Sequence, residues 1–522
     1  MVEETETAAV ALGVKTANVA SFIALSKFFN LVVSGLSFVT VARLLGANNY
    51  GVYVLALGVA GLIGSFSNLN VGNYFAKHVP ELLHRKQEDK LAAMLGDGLI
   101  LIMFISIAST IAGILVSGAV ASYVFHSSGS SLIIDVAMLG VLFIAAQGAL
   151  GGALVGMSDA KGIALQTIIQ VVVQAAVSIG LILLGVGPLG AVIGWVLGFA
   201  ASTLSGLLLI VRRHRIAFVP ASFFERSKTI VGFSAPLAFT AIIASLVNNG
   251  GIIYLGLLFL PAAVGAYGVG NKMGSFMDVV TGSVTIVITP MFAAAMANRR
   301  LRSKMSGLYS YSLYFGVLAL APMVLYFVLF ANAFVVTVLA STYSNAAFYM
   351  ALISVGVLLM FFWMYGNQMA IGLGDVKRYM KYNIIAMAVQ VSSLFMLVPY
   401  LGAVGVILAM YFIGTFVADA LYWNYIRKVV HLKLNINPML RLIPANVALL
   451  VIFYLLSGIQ TRPLYLLAAG VGVIAFVYPP LLAMTRGIDR NYLALARKIA
   501  GGIPGIGGIG ILLLRYTEAF IR

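Results

Sequence analysis

Two lysines lie deep inside long apolar segments, where a charged side chain needs a partner. Lys27 and Lys272 lie in the first and eighth segments, each about ten residues or roughly 15 Å from the nearer end. That depth exceeds the reach of a lysine stem toward water. A lysine side chain that pointed at lipid from this depth would cost roughly 3 kcal/mol or more of free energy. We therefore expect the two ammonium groups to face a polar cavity, where they could bind a phosphate, or to pair with carboxylates that lock helices together.

Carboxylates inside the apolar segments are the second group of candidates. Asp278 follows Lys272 by six residues, on a different face of a helix, and Asp419 lies deep in the twelfth segment. Either could neutralise a lysine on a neighbouring helix, or bind a coupling proton or cation. Asp97 and Asp135 are closer to segment ends, and we expect them at the level of the lipid headgroups.

Asparagines form the third group. Asn248 and Asn249 precede two glycines in the middle of the seventh segment, which Pro236 should bend or tilt. Amides and bent backbone at this depth are tolerated where they line a cavity. A glycine-mediated helix contact with the asparagines hydrogen-bonded across it explains the pattern equally well. Asn70 adds a weaker polar position in the second segment.

The elements that carry these residues are transmembrane helices. Of the 522 residues 62% are hydrophobic and only 9% are charged, with a mean hydropathy of +1.06. The apolar runs are long enough to cross a bilayer as helices and too uniform for barrel strands. We predict an all-α polytopic membrane protein with about fourteen spans, the eighth over residues 262–296.

An internal duplication organises these spans. Matching positions recur about 216 residues apart: Gly156 to Lys161 with Gly372 to Lys377, Ile168, Ile169 and Gln174 with Ile384, Ile385 and Gln390, Leu189 to Val192 with Leu401 to Val404, and Leu44, Gly51 and Tyr53 with Leu258, Gly265 and Tyr267. Duplicated halves are typical of transporters that rock around a central site. We predict a six-helix lobe over residues 1–215, a second over 216–426, and two further helices with a cytoplasmic tail over 427–522.

The distribution of positive charge predicts the orientation. Most of the 32 Lys and Arg residues lie in the N-terminal segment, the even-numbered loops and the C-terminal tail. By the positive-inside rule both termini are cytoplasmic, and the net charge of +17 serves mainly to anchor the inner face. The charge is therefore no indication of nucleic-acid binding.

The sequence offers no catalytic or cofactor motif. No large loop could hold a catalytic domain, the glycines around Lys272 do not form a P-loop, and Gly505, Gly507 and Gly510 follow no strand. The five His residues lack metal-ligand spacing and there is no Cys. We expect neither an enzyme nor a metal or cofactor site, and a membrane glycosyltransferase is disfavoured because no sizeable external loop carries acidic residues.

A short motif near the N-terminus consists of Ala42 to Gly46 followed by Tyr50 to Tyr53. Together with the two six-span halves and two extra C-terminal spans, this motif resembles the polysaccharide-biosynthesis (Wzx-type) flippases. These belong to the multidrug/oligosaccharidyl-lipid/polysaccharide (MOP) exporter superfamily, and the resemblance covers essentially the whole chain. It implies translocation of a polyprenyl-(di)phosphate-linked oligosaccharide across the plasma membrane. Glycosyltransferases or a polymerase of the same pathway are the implied partners.

The resemblance fixes no substrate residues, so the site rests on the buried polar side chains. We expect Lys27 and Lys272, with Asn248, Asn249 and Asn70, to line a central cleft that a single chain completes. Asp278 and Asp419 are the candidates for ion coupling or charge compensation. A peptidoglycan-precursor flippase and a cation-coupled multidrug exporter of the same fold remain alternatives.

Overall fold

The computed structural model describes residues 2–277, 305–339, 341–429, 437–488 and 515–520, with residues 281, 292 and 493, and its side-chain description begins at residue 29. Over these residues the protein is helical without strands, as predicted. The helices are α1 (Val2–Ser67), α2 (Val71–His84), α3 (Glu88–Tyr123), α4 (Ser131–Gly156), α5 (Ala160–Leu183), α6 (Pro188–Leu208), α7 (Phe223–Leu258), α8 (Pro261–Gly274), α9 (Met305–Leu329), α10 (Ala331–Val338), α11 (Ser344–Gly372), α12 (Val376–Leu401), α13 (Ala403–Ile407), α14 (Gly414–Val429), α15 (Asn437–Leu440), α16 (Leu442–Ser457), α17 (Pro463–Gly472) and α18 (Tyr478–Met484). Three π-helical segments, Leu209–Arg213, Leu408–Ile413 and Val473–Val477, interrupt them.

The described helices include twelve stretches whose length and composition suit a membrane span. One of them, Phe29–Ser67, contains Gly46, whose non-helical backbone separates two helices. The predicted eighth span, 262–296, lies partly outside the described residues, so the count of fourteen stays a prediction. Large apolar side chains such as Leu115 and Leu184, both 79% exposed, cover the outer surface and suit contact with lipid. The protein is therefore a multi-pass membrane protein.

The chain divides into two compact units, Met1–Gly265 and Ala266–Arg522, so that α7 belongs to the first. In the first unit, an apolar cluster around Val71, Phe75 and Leu95 joins α2, α3, α4 and the start of α7. In the second, Tyr326 of α9 and Phe330, which lies between α9 and α10, pack against α16 to α18. The predicted lobe boundaries at residues 215 and 426 describe the repeat and stay a prediction.

Polar side chains, most of them half-buried, tie helices of the first unit together. Gln147 of α4 donates to Gln170 of α5 at 2.8 Å and to Ser202 of α6 at 3.0 Å. Tyr53 of α1 is hydrogen-bonded to Gln174 of α5. These hydrogen bonds join α1, α4, α5 and α6 to one another.

The duplication is visible in equivalent contacts. Gly140 of α4 packs against Trp195 of α6, and Gly356 of α11, 216 residues later, packs against Tyr411 of the second π-helical segment. This contact makes Tyr411 the counterpart of Trp195.

One sequence match is out of register. Leu189 lies inside α6, whereas Leu401 is the last residue of α12. The true counterparts are Gly187 (φ 65, ψ −141) and Gly402 (φ 56, ψ −130), which precede α6 and α13 with nearly the same backbone conformation. The pairing of Leu189 to Val192 with Leu401 to Val404 was therefore wrong, because a short similar string repeats near the same turn.

Candidate functional site

Lys272 lies in the last turn of α8 with an exposed side chain. Its carbonyl oxygen accepts a hydrogen bond from the Ser275 hydroxyl at 2.7 Å, and the chain continues as a 3₁₀ turn, Ser275–Met277. Among the residues that the structure describes, no carboxylate lies within 4.0 Å of the ammonium. Within this part of the chain nothing neutralises Lys272, so its charge is open to an anionic ligand.

The turn that carries Lys272 is fixed by its neighbour, Asn271. The Tyr411 hydroxyl donates to Asn271 Oδ1 at 2.8 Å. Asn271 is an amide in an apolar span beside a lysine, which is a signal that the sequence analysis overlooked. Tyr411 gives no such signal, because its partner lies 140 residues away and the π-helical backbone has no sequence mark.

The asparagine pair of α7 divides into two roles. Asn249 packs against Gly61 of α1, and its Nδ2 donates to Ser245 Oγ at 2.9 Å, while Ser245 Oγ donates to the Gly61 carbonyl at 3.2 Å. Asn248 is exposed and donates to the carbonyl of Ala244 in its own helix at 2.8 Å. The helix-contact interpretation thus fits Asn249, whereas Asn248 presents its amide to open space. α7 is one continuous helix through both residues.

Asn70 lies at a break between two helices. α1 ends at Ser67 and α2 begins at Val71, and Asn70 has a left-handed backbone (φ 53, ψ 31). Its N–H donates to Asn68 Oδ1 at 3.2 Å, and its own side chain caps no N–H of α2. Irregular backbone in an apolar protein is tolerated where it is covered or lines a cavity. The break gives Asn70 a structural role that its sequence position alone did not reveal.

The remaining predicted site residues have separate outcomes. Asp419 is half-buried in α14. Lys27 lies in α1, but its side chain is outside the described residues, as is the whole of Asp278. The roles of these three residues stay predictions.

Asp97 has a structural role that the sequence analysis missed. Its carboxylate is fully buried in the third turn of α3 and accepts the N–H groups of Ala221 at 3.2 Å and Ser222 at 3.3 Å. Arg226 Nη1 lies 3.4 Å from Asp97 Oδ2. The carboxylate therefore holds the segment between α6 and α7 and the first turn of α7, and the depth of Asp97 in the bilayer stays a prediction.

The repeated Gly-to-Lys element is a helix cap in both copies. Asp159 caps α5 through the N–H of Gly162 at 2.9 Å, and also pairs with Arg213 at 3.1 Å and His214 at 2.9 Å. Burial alone would raise the pKa of Asp159. The hydrogen bonds from His214 and Gly162 and the charge of Arg213 together outweigh burial, so the pKa falls below its usual value. Asp375 caps α12 in the same way, with Arg378 as its partner.

The sequence model of one protein family, which is described as "polysaccharide biosynthesis protein", matches residues 40–348, more than half of the chain. The chain belongs to this family. No curated protein has a significant match to the sequence. Among the described residues no cluster of three His, Asp or Glu side chains could hold a metal ion.

Solved structures show that this family member has the fold of MOP superfamily transporters. The lipid II flippase MurJ, in an inward closed conformation, has a TM-score of 0.70 at 11% identity over 88% of this chain and 98% of its own. An inward-facing multidrug resistance MATE family transporter of the MOP superfamily has a TM-score of 0.64 at 18% identity over 79% and 98%. At these identities the likeness establishes the fold and leaves the substrate open.

Proposed function

We propose that the protein is a flippase that moves a polyprenyl-phosphate-linked or polyprenyl-diphosphate-linked oligosaccharide from the cytoplasmic to the outer leaflet. Membership of a polysaccharide biosynthesis family and the MOP transporter fold support this function. The flipped lipid would serve assembly of a surface polysaccharide or a glycoprotein glycan. Such a protein breaks no covalent bond, so we propose no enzymatic activity and no cofactor.

The observation that carries this proposal is the exposed Lys272 at the end of α8, with no carboxylate partner in the described part of the chain. An ammonium in a membrane protein costs free energy unless it serves a ligand or a counter-ion. A phosphate that leaves water needs compensating positive charge, which a lysine supplies as a compact ammonium with three donors. Asn248, with its exposed amide, suits the hydroxyl groups of a glycan.

The substrate would move with its prenyl chain in the bilayer while the phosphate and glycan follow a polar path through the protein. The two homologous halves would rock so that this path opens to one face of the membrane at a time. Lys27 would supply a second positive charge. Because the path needs only one chain, a monomer suffices.

The positive-inside distribution supports a plasma-membrane protein with both termini in the cytoplasm. Its partners would be the lipid substrate, membrane lipids and the glycosyltransferases or polymerase of the same pathway. No nucleic acid is involved in this proposal.

A cation-coupled multidrug exporter is the second candidate. Asp419, half-buried in α14 and without an ion pair among the residues that the structure describes, is the observation that favours it, because a carboxylate inside a membrane span can bind a proton or a cation. The charge of Lys272, which has no carboxylate partner in the described part of the chain, opposes it, because a cationic drug would be repelled. A peptidoglycan-precursor flippase would share the phosphate-binding chemistry and differ only in the glycan.

Leaflet translocation in proteoliposomes tests the proposal. A labelled lipid-linked oligosaccharide, a labelled peptidoglycan precursor and a hydrophobic cation are compared as substrates for the native protein, Lys272→Ala and Lys377→Ala. Lys377 is an exposed lysine of the repeated element and controls for loss of one charge. We expect translocation of the oligosaccharide lipid that Lys272→Ala reduces at least tenfold and Lys377→Ala leaves unchanged. Uptake of the hydrophobic cation alone would contradict the flippase function.

A further inference from the structure

Two side chains of α8 attach it to a π-helical segment in the second compact unit. Tyr267 and Asn271 are four residues apart and therefore lie on the same face of α8. The Tyr267 hydroxyl donates to Met410 Sδ at 3.7 Å, and Asn271 Oδ1 accepts from Tyr411 at 2.8 Å. Both partners belong to the segment Leu408–Ile413. The last two turns of α8 are thus docked on this segment.

The π-helical segment is itself held firmly. The carbonyl oxygen of Met410 accepts hydrogen bonds from Gln390 Nε2 at 2.9 Å and from the Thr415 hydroxyl at 3.5 Å. Tyr411 packs against Gly356 of α11. π-helical turns are rare and occur frequently at functional sites. Here the turn offers α8 a rigid hydroxyl donor.

The first repeat provides an internal comparison. Gly51 and Tyr53 match Gly265 and Tyr267, so the counterparts of Asn271 and Lys272 are Leu57 and Gly58. The counterpart of Tyr411 is Trp195, through the equivalent glycine contacts.

The first repeat therefore carries apolar or small residues, Leu57, Gly58 and Trp195, at the positions of Asn271, Lys272 and Tyr411. Because packing alone does not require polar side chains at these positions, the polar trio of Asn271, Lys272 and Tyr411 has a role that the first repeat lacks.

We propose that Asn271 and Tyr411 are positioning residues that hold Lys272 where it binds the phosphate of the substrate. This inference rests on the proposed function and adds that the second repeat supplies this phosphate contact through a fixed helix end. The last turn of a helix lacks intrahelical partners for its carbonyl groups and tends to fray. Ser275 satisfies the carbonyl of Lys272, and Tyr411 anchors the adjacent side chain.

A lysine side chain is long and mobile, so the position of its backbone decides where the charge can reach. Without the Tyr411 hydrogen bond, the last turn of α8 samples more conformations, and phosphate binding must restore order. A hydrogen bond of this kind contributes about 1 kcal/mol, which corresponds to about a fivefold weaker affinity. The maximum rate of transport should change little.

The test compares two tyrosines that each lose one hydroxyl contact between α8 and the same segment. Tyr411→Phe removes the bond to Asn271, and Tyr267→Phe removes the contact with Met410. Farnesyl diphosphate is added to the purified full-length protein in detergent, and its protection of Lys272 from acetylation is measured by peptide mass spectrometry. Asn271→Leu, which carries the residue of the first repeat, is a second variant in case Tyr411→Phe fails to fold.

We expect the half-protecting concentration to rise about fivefold in Tyr411→Phe and in Asn271→Leu, and to stay unchanged in Tyr267→Phe. Equal shifts in both tyrosine variants would show that Asn271 and Tyr411 contribute only ordinary helix packing, and would overturn the proposal. An unchanged half-protecting concentration in Tyr411→Phe would overturn it as well. If the diphosphate protects no variant but acetylation of Lys272 changes in Tyr411→Phe alone, the positioning role is supported and the phosphate-binding function fails. The two ideas are thus tested separately.

Discussion

Gly51 and Gly265 occupy matching positions of the two repeats and pack against each other, backbone to backbone. A Cβ atom on Gly51 would overlap the carbonyl of Pro261 and lie 3.0 Å from the Gly265 nitrogen. A Cβ on Gly265 would overlap the carbonyl of Ala47 and lie 3.0 Å from the Gly51 nitrogen. Ala47 and Pro261 also match in the repeat, so the contact is reciprocal, as at a two-fold interface.

We expect Gly51→Ala to destabilise this crossing, because the overlapping atoms are backbone and cannot move aside as a flexible side chain would. Overpacking of this kind costs roughly 1–3 kcal/mol, so the melting temperature in detergent should fall by several degrees. Gly250→Ala in α7 is the control, since a Cβ there meets nothing within 4 Å. Equal melting temperatures for the two variants would show that the close approach is unimportant.

The sequence predicted the helical fold and the repeat because both depend on local composition and on matching strings. It did not predict where the backbone departs from a regular helix. The π-helical segment Leu408–Ile413, the break before Val71 and the register error at Leu189 all arise from tertiary contacts that no nearby residue announces.

Only the part of the candidate site that local sequence reveals could be predicted, because its other contacts are tertiary. Lys272 was identifiable because a charge inside an apolar span is conspicuous in a sequence. Its support from Tyr411 was not, since a tyrosine in a membrane helix is ordinary until its partner is known. The anchoring role of Asp97 was missed because proximity to the end of a span does not reveal that another segment folds over the carboxylate.

Asp97→Asn should release the segment that precedes α7. The change removes the ion pair with Arg226 and leaves one amide oxygen to accept two N–H groups. Disrupting a buried pair of this kind costs roughly 3 kcal/mol. We expect the amides of Ala221 and Ser222 to exchange hydrogen faster, as measured by mass spectrometry.

The matched control for Asp97 is Asp89→Asn, an exposed carboxylate in the first turn of the same helix. Its loss should cost less than about 1 kcal/mol and leave exchange at Ala221 and Ser222 unchanged. Identical exchange in native protein and Asp97→Asn would refute the anchoring role.

Asp159 should make stability depend on pH in the acid range. Because its pKa is lowered in the folded protein, its stabilisation is fully present above the unfolded pKa of about 4 and is lost as pH falls through the folded value. Native protein and Asp159→Asn should therefore differ in melting temperature by a constant amount above about pH 5, and converge below about pH 4.

Asp375→Asn is the natural control for Asp159, since it alters the same cap in the other repeat. The Asp159 side chain is 4% exposed and that of Asp375 is 32% exposed. Solvent screening should make the loss smaller at Asp375, and its pH dependence weaker. A larger effect at Asp375 would contradict the importance of the buried contacts with Arg213 and His214.

Asn70 allows the backbone and the amide of a candidate site residue to be tested apart. Asn70→Gly keeps the left-handed conformation at no steric cost and removes the amide, whereas Asn70→Ala also strains the backbone by roughly 1–2 kcal/mol. If the amide contacts the glycan, both variants should lower translocation severalfold, and only Asn70→Ala should lower the melting temperature. Full translocation by Asn70→Gly would assign Asn70 to the helix break alone, because the left-handed turn would then be the only property that the position requires.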